Sequence, residues 1–92
     1  MSKTSKKEAD WSPESVLAKI NDVKPMSAFL KDLLTPAEYE EIKRRLQIIK
    51  LLKQGLPQRE VAKKLKIAIA TITRGSRMLK NPKGGFNKIF KK

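Results

Sequence analysis

Apolar residues return along this chain at helical spacing, and no segment shows the alternation of a strand. Val16, Leu17, Ile20 and Val23 recur on one helical face behind Ser12-Pro13-Glu14-Ser15. That opening has Ser12 as N-cap and proline at the first helical position. Trp11 precedes the cap, where it can staple the helix. Pro25 begins a second short helix, with Met26, Phe29, Leu30, Leu33 and Leu34 as a broad stripe. Thr35-Pro36-Ala37-Glu38 is a capping box that opens the longest helix, to about Gln54, where Gly55 stops it. Ile42, Leu46 and Ile49 form one stripe of that helix, widened by Ile48, Leu51 and Leu52. Such breadth predicts burial on two sides, and hence a dimer interface.

Pro57 starts a further helix, with Val61, Ala62 and Leu65 inward. A bend at Lys66-Ile67-Ala68 leads into a helix over Ile69–Leu79, ended by Asn81-Pro82. Gly84-Gly85 reads as a flexible break. Phe86, Ile89 and Phe90 then predict a short last helix that docks on the core. The expected fold class is all-α, with residues 1–10 as a disordered basic arm and 11–92 as one helical domain.

Charge sharpens this picture. The chain has 92 residues and a formal net charge of +13. Residues 1–42 hold six Lys/Arg and eight Asp/Glu, while 43–92 hold sixteen and one. A basic half that also reads as folded points to a polyanion, with nucleic acid ahead of an anionic membrane. There are no Cys and no His, which excludes disulfides, cysteine-based metal sites and Cys or His catalysis. With Glu60 as the one carboxylate of the basic half, an enzyme is the weakest class. No membrane-length apolar run and no signal-peptide core are present, so a cytoplasmic protein is expected.

Two short helices joined by a tight bend over about 57–80 form a helix-turn-helix pattern. A helix entering the major groove needs small or short polar residues at its front. Ala68, Ile69, Ala70 and Thr71 meet that need, and Ala or a Thr methyl can touch thymine methyls. Gln58 and Arg59, at the start of the preceding helix, can reach a phosphate or a guanine edge. Lys63, Lys64 and Lys66 suit phosphates. The partner expected is double-stranded DNA.

Leu34-Thr-Pro-Ala-Glu38, Arg45, Gly55, Gln58-Arg-Glu60 and Ile69-Ala-Thr-Ile-Thr-Arg-Gly-Ser76 resemble the tryptophan repressor family over about residues 33–80. The resemblance implies a six-helix intertwined homodimer on a palindromic operator, repressing transcription with L-tryptophan as corepressor. That family illustrates helix-turn-helix docking and water-mediated base contacts. By resemblance, Arg59 contacts a base directly, Ile69, Ala70 and Thr73 face bases, and Gln58, Ala68 and Thr71 hold phosphates. The indole lies between Arg45 and Arg74. The ligand carboxylate pairs with Arg74 and meets Thr35, and its ammonium meets carbonyls near Leu33 and Leu34. Ile49 and Gly75 line the pocket. This chain departs from the family at Pro57, where a capping Ser is usual, and at Ala62, where a lysine is common. It also departs at Lys66, where a turn glycine is usual, and at Met78, where Ser is frequent. Lys66 is therefore expected in a left-handed conformation. The rival readings are a ligand-independent helix-turn-helix protein of transposase or replication-initiator type, and an architectural DNA binder.

Overall fold

The computed structural model describes residues 10–90, which form six helices and no strand. They are α1 (Pro13–Ala18), α2 (Val23–Leu33), α3 (Pro36–Lys53), α4 (Gln58–Leu65), α5 (Ile69–Leu79) and α6 (Gly85–Ile89). The chain divides into two compact units, 1–39 and 40–92. The basic arm expected over 1–10 lies outside the described residues except at Asp10, which takes part in a cap.

In the first unit, two of the three helix starts are fixed by side chains. The Ser12 hydroxyl accepts from the Ser15 amide at 3.2 Å. Asp10 supports this cap: its carboxylate accepts from the Ser12 amide at 3.0 Å and from the Ser15 hydroxyl at 2.7 Å. The Ser15 bond, then the Ser12 bonds, hold its pKa below the usual 3.8. The helix is shorter than its apolar spacing predicts. It stops at Ala18, and Asp22, extended at φ −134°, is the N-cap residue of α2. Asn21 and Asp22 favour such local turns over helix. Helix α2 thus begins two residues before Pro25, which sits in the first turn, where a missing N–H costs no hydrogen bond. Trp11 does not staple α1, since it is 81% exposed. Met26, Phe29 and Leu30 are half-buried, and Lys31 Nζ lies 5.9 Å from the centroid of the Tyr39 ring. The capping box forms as expected. The Thr35 hydroxyl accepts from the Glu38 amide at 3.1 Å, and the Thr35 amide donates to Glu38 Oε1 at 2.9 Å.

The second unit holds the core. Ile48, Val61 and Ile72 are buried together, with Leu51, Leu52, Leu56, Ala62, Leu65 and Ile67 packed around them. Gly55 ends α3 at φ +97°, as its sequence position predicts. Its amide donates to Leu52 O and the Leu56 amide to Leu51 O, the paired bonds of a Schellman stop, with Leu56 turned onto the core. Pro57 is the residue before α4 and not its first: at ψ 152° it is still extended. Its fixed φ of −63° suits that place without a hydroxyl.

Lys66 stands at φ 57°, ψ 49°, the left-handed conformation expected of it. There it lets the Ile67 amide close back on Ala62 O at 3.0 Å and turns the chain into α5. Gly84-Gly85 is not an open break. Gly84 is the N-cap residue of α6, and its amide donates to Asn81 O at 2.9 Å. Asn87 ties the segment down by donating to Leu79 O at 2.8 Å and Asn81 O at 2.9 Å, and accepting from Lys53 Nζ at 3.1 Å.

Candidate nucleic-acid interface and the adjoining cleft

Helices α4 and α5 pack around Val61 and Ile72, both fully buried, which sets the bend of the helix-turn-helix. With those faces turned inward, Arg59, Lys63, Ala68, Ile69, Ala70 and Thr71 are left exposed on the outside. Ile69 is 48% exposed despite its size. The front of α5 is therefore small and apolar, flanked by cations from α4. Neither α4 nor α5 has a side-chain cap at its start. Their first amides remain open to outside acceptors, such as the oxygens of an anion.

Gln58 and Thr73 are placed differently from the other predicted residues. Both are half-buried, and they bond to each other: Thr73 Oγ1 donates to Gln58 Oε1 at 2.8 Å. Gln58 Nε2 donates to the Ser76 hydroxyl at 3.1 Å. Sequence reading assigned Gln58 to phosphate and Thr73 to bases, and had no signal for this pairing across helices.

Four of the residues expected around a ligand come together. Arg45, Ile49, Arg74 and Gly75 line one cleft of about 540 Å³ beside α3 and α5. Gly75 permits the approach of the two helices. A Cβ there would stand 3.1 Å from Ile48 Cγ2 and 3.6 Å from Ile49 Cδ1. Arg74 has no ion-pair partner among the described residues. Arg45 does: its Nε lies 3.4 Å from Glu41 Oε2. Both side chains are about half exposed or more, so this pair holds an orientation and contributes at most about 1 kcal/mol. Leu33, Leu34 and Thr35 belong to the first unit, where Thr35 caps α3.

Met78, which the resemblance puts beside the ligand ammonium, lines the cleft too, and so do Glu41 and Phe86, which the sequence did not assign to it. Glu41 had a findable signal, four residues before Arg45 on one helix. Phe86 had only its helical spacing, which predicts docking and not a destination. Met78 is 47% exposed, and its thioether adds apolar surface where a hydroxyl would add a hydrogen bond. Among the described residues no group of acidic side chains is arranged to hold a metal ion, and no helix is long and apolar enough to cross a membrane.

A family model described as Trp repressor protein matches residues 14–92. The chain is 53% identical over 53 residues to a Trp operon repressor homolog of Actinobacillus succinogenes, covering 56% of this chain and 52% of that protein. It is 44% identical over 80 residues to a Trp operon repressor homolog of Mannheimia succiniciproducens, covering 86% and 78%. A homolog of the same name from Aliivibrio salmonicida is 38% identical over 79 residues, covering 84% and 73%. The chain thus spans about half the length of the first of these relatives and about three-quarters of the other two. No solved structure matches it significantly.

Proposed function

The chain belongs to the Trp repressor protein family, and from that premise we propose that it is a sequence-specific DNA-binding transcriptional repressor. It acts as a homodimer on a palindromic operator, with L-tryptophan as corepressor. The observation that carries this reading is the double use of α5. Its front is an exposed, small-residue face suited to a major groove, while Arg74 and Gly75 form a wall of the cleft.

On the DNA side, Arg59 reads a guanine edge and Ile69 and Ala70 meet bases directly or through water. Lys63, Ala68 and Thr71 meet the backbone, Ala68 through its amide just before α5 and Thr71 through its hydroxyl, its amide being bonded to Ala68 O. Thr73 and Gln58 stand behind this surface, bonded to each other. On the ligand side, a planar indole suits two guanidiniums, which stack on an aromatic face as a lysine would not. Ile49 and Gly75 supply apolar floor, and Arg74 takes the ligand carboxylate. The cleft volume of about 540 Å³ lies within the range of small-molecule sites.

The mechanism is a population shift. A ligand that fills the cleft wedges α5 against α3 at one angle and spacing, the one that fits two half-sites. Couplings of this kind are about 1–3 kcal/mol. The homodimer is supported by the apolar residues that one chain leaves in water. Ile42, Leu46, Met78 and Ile89 are all at least 38% exposed.

DNase footprinting with and without L-tryptophan tests the reading, together with calorimetry on Arg74→Ala. Protection of a discrete palindrome that tightens with the amino acid is expected, as is loss of ligand binding in the variant. A second reading, a repressor indifferent to amino acids, is favoured by Met78 in the cleft. It predicts the same footprint with no response to tryptophan. Uniform protection of any DNA would leave an architectural binder.

A further inference from the structure

We propose that Gln58 is a positioning residue that fastens α5 to the start of α4, so that Arg59 and the Ile69–Ala70 front are presented as one body. The inference rests on the DNA-reading role proposed above. The Gln58 amide is used at both ends: Nε2 donates to Ser76 Oγ at 3.1 Å, and Oε1 accepts from Thr73 Oγ1 at 2.8 Å. Both bonds are half-buried and join residues 18 and 15 apart in sequence, so they tie separate helices. The Thr73 hydroxyl has one proton and two acceptors, the second being Ile69 O at 3.0 Å. Its donor capacity is thus spent within the protein.

Three facts give the clamp its leverage. Pro57 makes no side-chain cap bond, so the first turn of α4 is held sideways onto α5 and not from its end. Thr73 and Ser76, three apart, share a face of α5. Between them in sequence lie Arg74 and Gly75, which line the cleft, and next to Gln58 lies Arg59. The amide therefore links the cleft wall to the base-reading arginine by side-chain bonds outside the hydrophobic core. A glutamine serving only as a phosphate contact would leave the two hydroxyls unengaged by it.

The test uses the full chain. The strongest-binding duplex selected from a random library is the probe, and a scrambled duplex of equal length is the reference. Anisotropy titrations compare Gln58→Ala, Thr73→Val and the double variant. Each single change is expected to lower the ratio of probe to reference affinity about three- to tenfold, the worth of one hydrogen bond or somewhat more. Reference affinity stays unchanged, and the double variant loses no more than the worse single, because removing one partner already opens the clamp. Equal losses on both duplexes, or additive losses in the double, overturn the proposal and make Gln58 a phosphate contact.

Gln58→Glu covers the case in which the alanine variant fails to fold. Its carboxylate accepts from both hydroxyls, so the affinity ratio is kept while both affinities fall with the added negative charge. A lost ratio in a folded Gln58→Glu protein also overturns it. A wild type with no preference among duplexes defeats the DNA-reading role itself. The clamp would then stand or fall on whether the same variants lose thermal stability non-additively.

Discussion

Residues 10–39 start two of their three helices at side chains that cap them, Ser12 for α1 and Thr35 for α3. Residues 40–90 start α4, α5 and α6 at Pro57, Ala68 and Gly84, none of which caps with a side chain. Burial runs the other way. No residue of α1 or α2 is buried, whereas Ile48, Ile49, Val61 and Ile72 are at 2% exposure or less. The first unit is organised by short-range hydrogen bonds and the second by a core gathered from distant positions. The contrast fits a division of labour. A region with apolar residues and no core suits completion by a second copy, and uncapped helix starts suit an outside acceptor such as phosphate.

The sharpest way to break this comparison is at the two kinds of apolar residue. Ile72→Ala should cost about 2–5 kcal/mol in urea unfolding, because it empties a fully enclosed site. On the proposed homodimer, Phe29→Ala should act mainly through association, seen as weaker self-association in sedimentation. Equal unfolding costs in both variants at dilutions that separate the subunits would erase the distinction. The turn residues give smaller effects. Lys66→Gly should stabilise by about 1 kcal/mol, since the left-handed backbone at φ 57° is unfavourable for a residue with a Cβ. Thr35→Ala should destabilise by about 1 kcal/mol through loss of the cap. Thermal melts of the two variants moving the same way would show that these local rules do not decide here.

The smallest expected effect is a pH response at Asp10. Its folded pKa lies below the ordinary 3.8, through the Ser15 bond first and the Ser12 bonds next. Its contribution is complete above 3.8 and is lost as pH falls through the lower folded value. Helicity measured from pH 5 downward should therefore drop less in Asp10→Asn than in the wild type. An identical acid profile would remove Asp10 from the cap.

How much was legible in the sequence follows the same divide. The Thr35–Glu38 box and the Gly55 stop were readable because each depends on neighbours within a few residues, while the left-handed Lys66 was readable only from the glycine that the resembling family carries there. Family resemblance carried Arg45, Ile49, Arg74 and Gly75 to one place, and the cleft brings those four together. The length of α1 was misjudged because apolar spacing continued past Ala18 while Asn21-Asp22 had already turned the chain. The Gln58 pairing was illegible for the opposite reason. Its bonds to Thr73 and Ser76 exist only once two helices cross at a given angle, and no local pattern encodes that angle. Phe86 reached the cleft by the same route, through the Asn87 tether that seats α6.

Gly75 has a consequence for how this protein can change over generations. The missing methyl group fixes how closely α5 lies on α3, with Ile48 only 3.1 Å from where a Cβ would stand. A Cβ at that codon would stand in the cleft wall and press on Ile48, so that either the Ile48 methyl gives by a few tenths of an ångström or α5 moves outward. Under the function proposed above, ligand size and operator fit are inherited together at this position, and a descendant sensing a different molecule must find its variation elsewhere on the walls. Met78, which touches the cleft and is 47% exposed, is one position that can supply it.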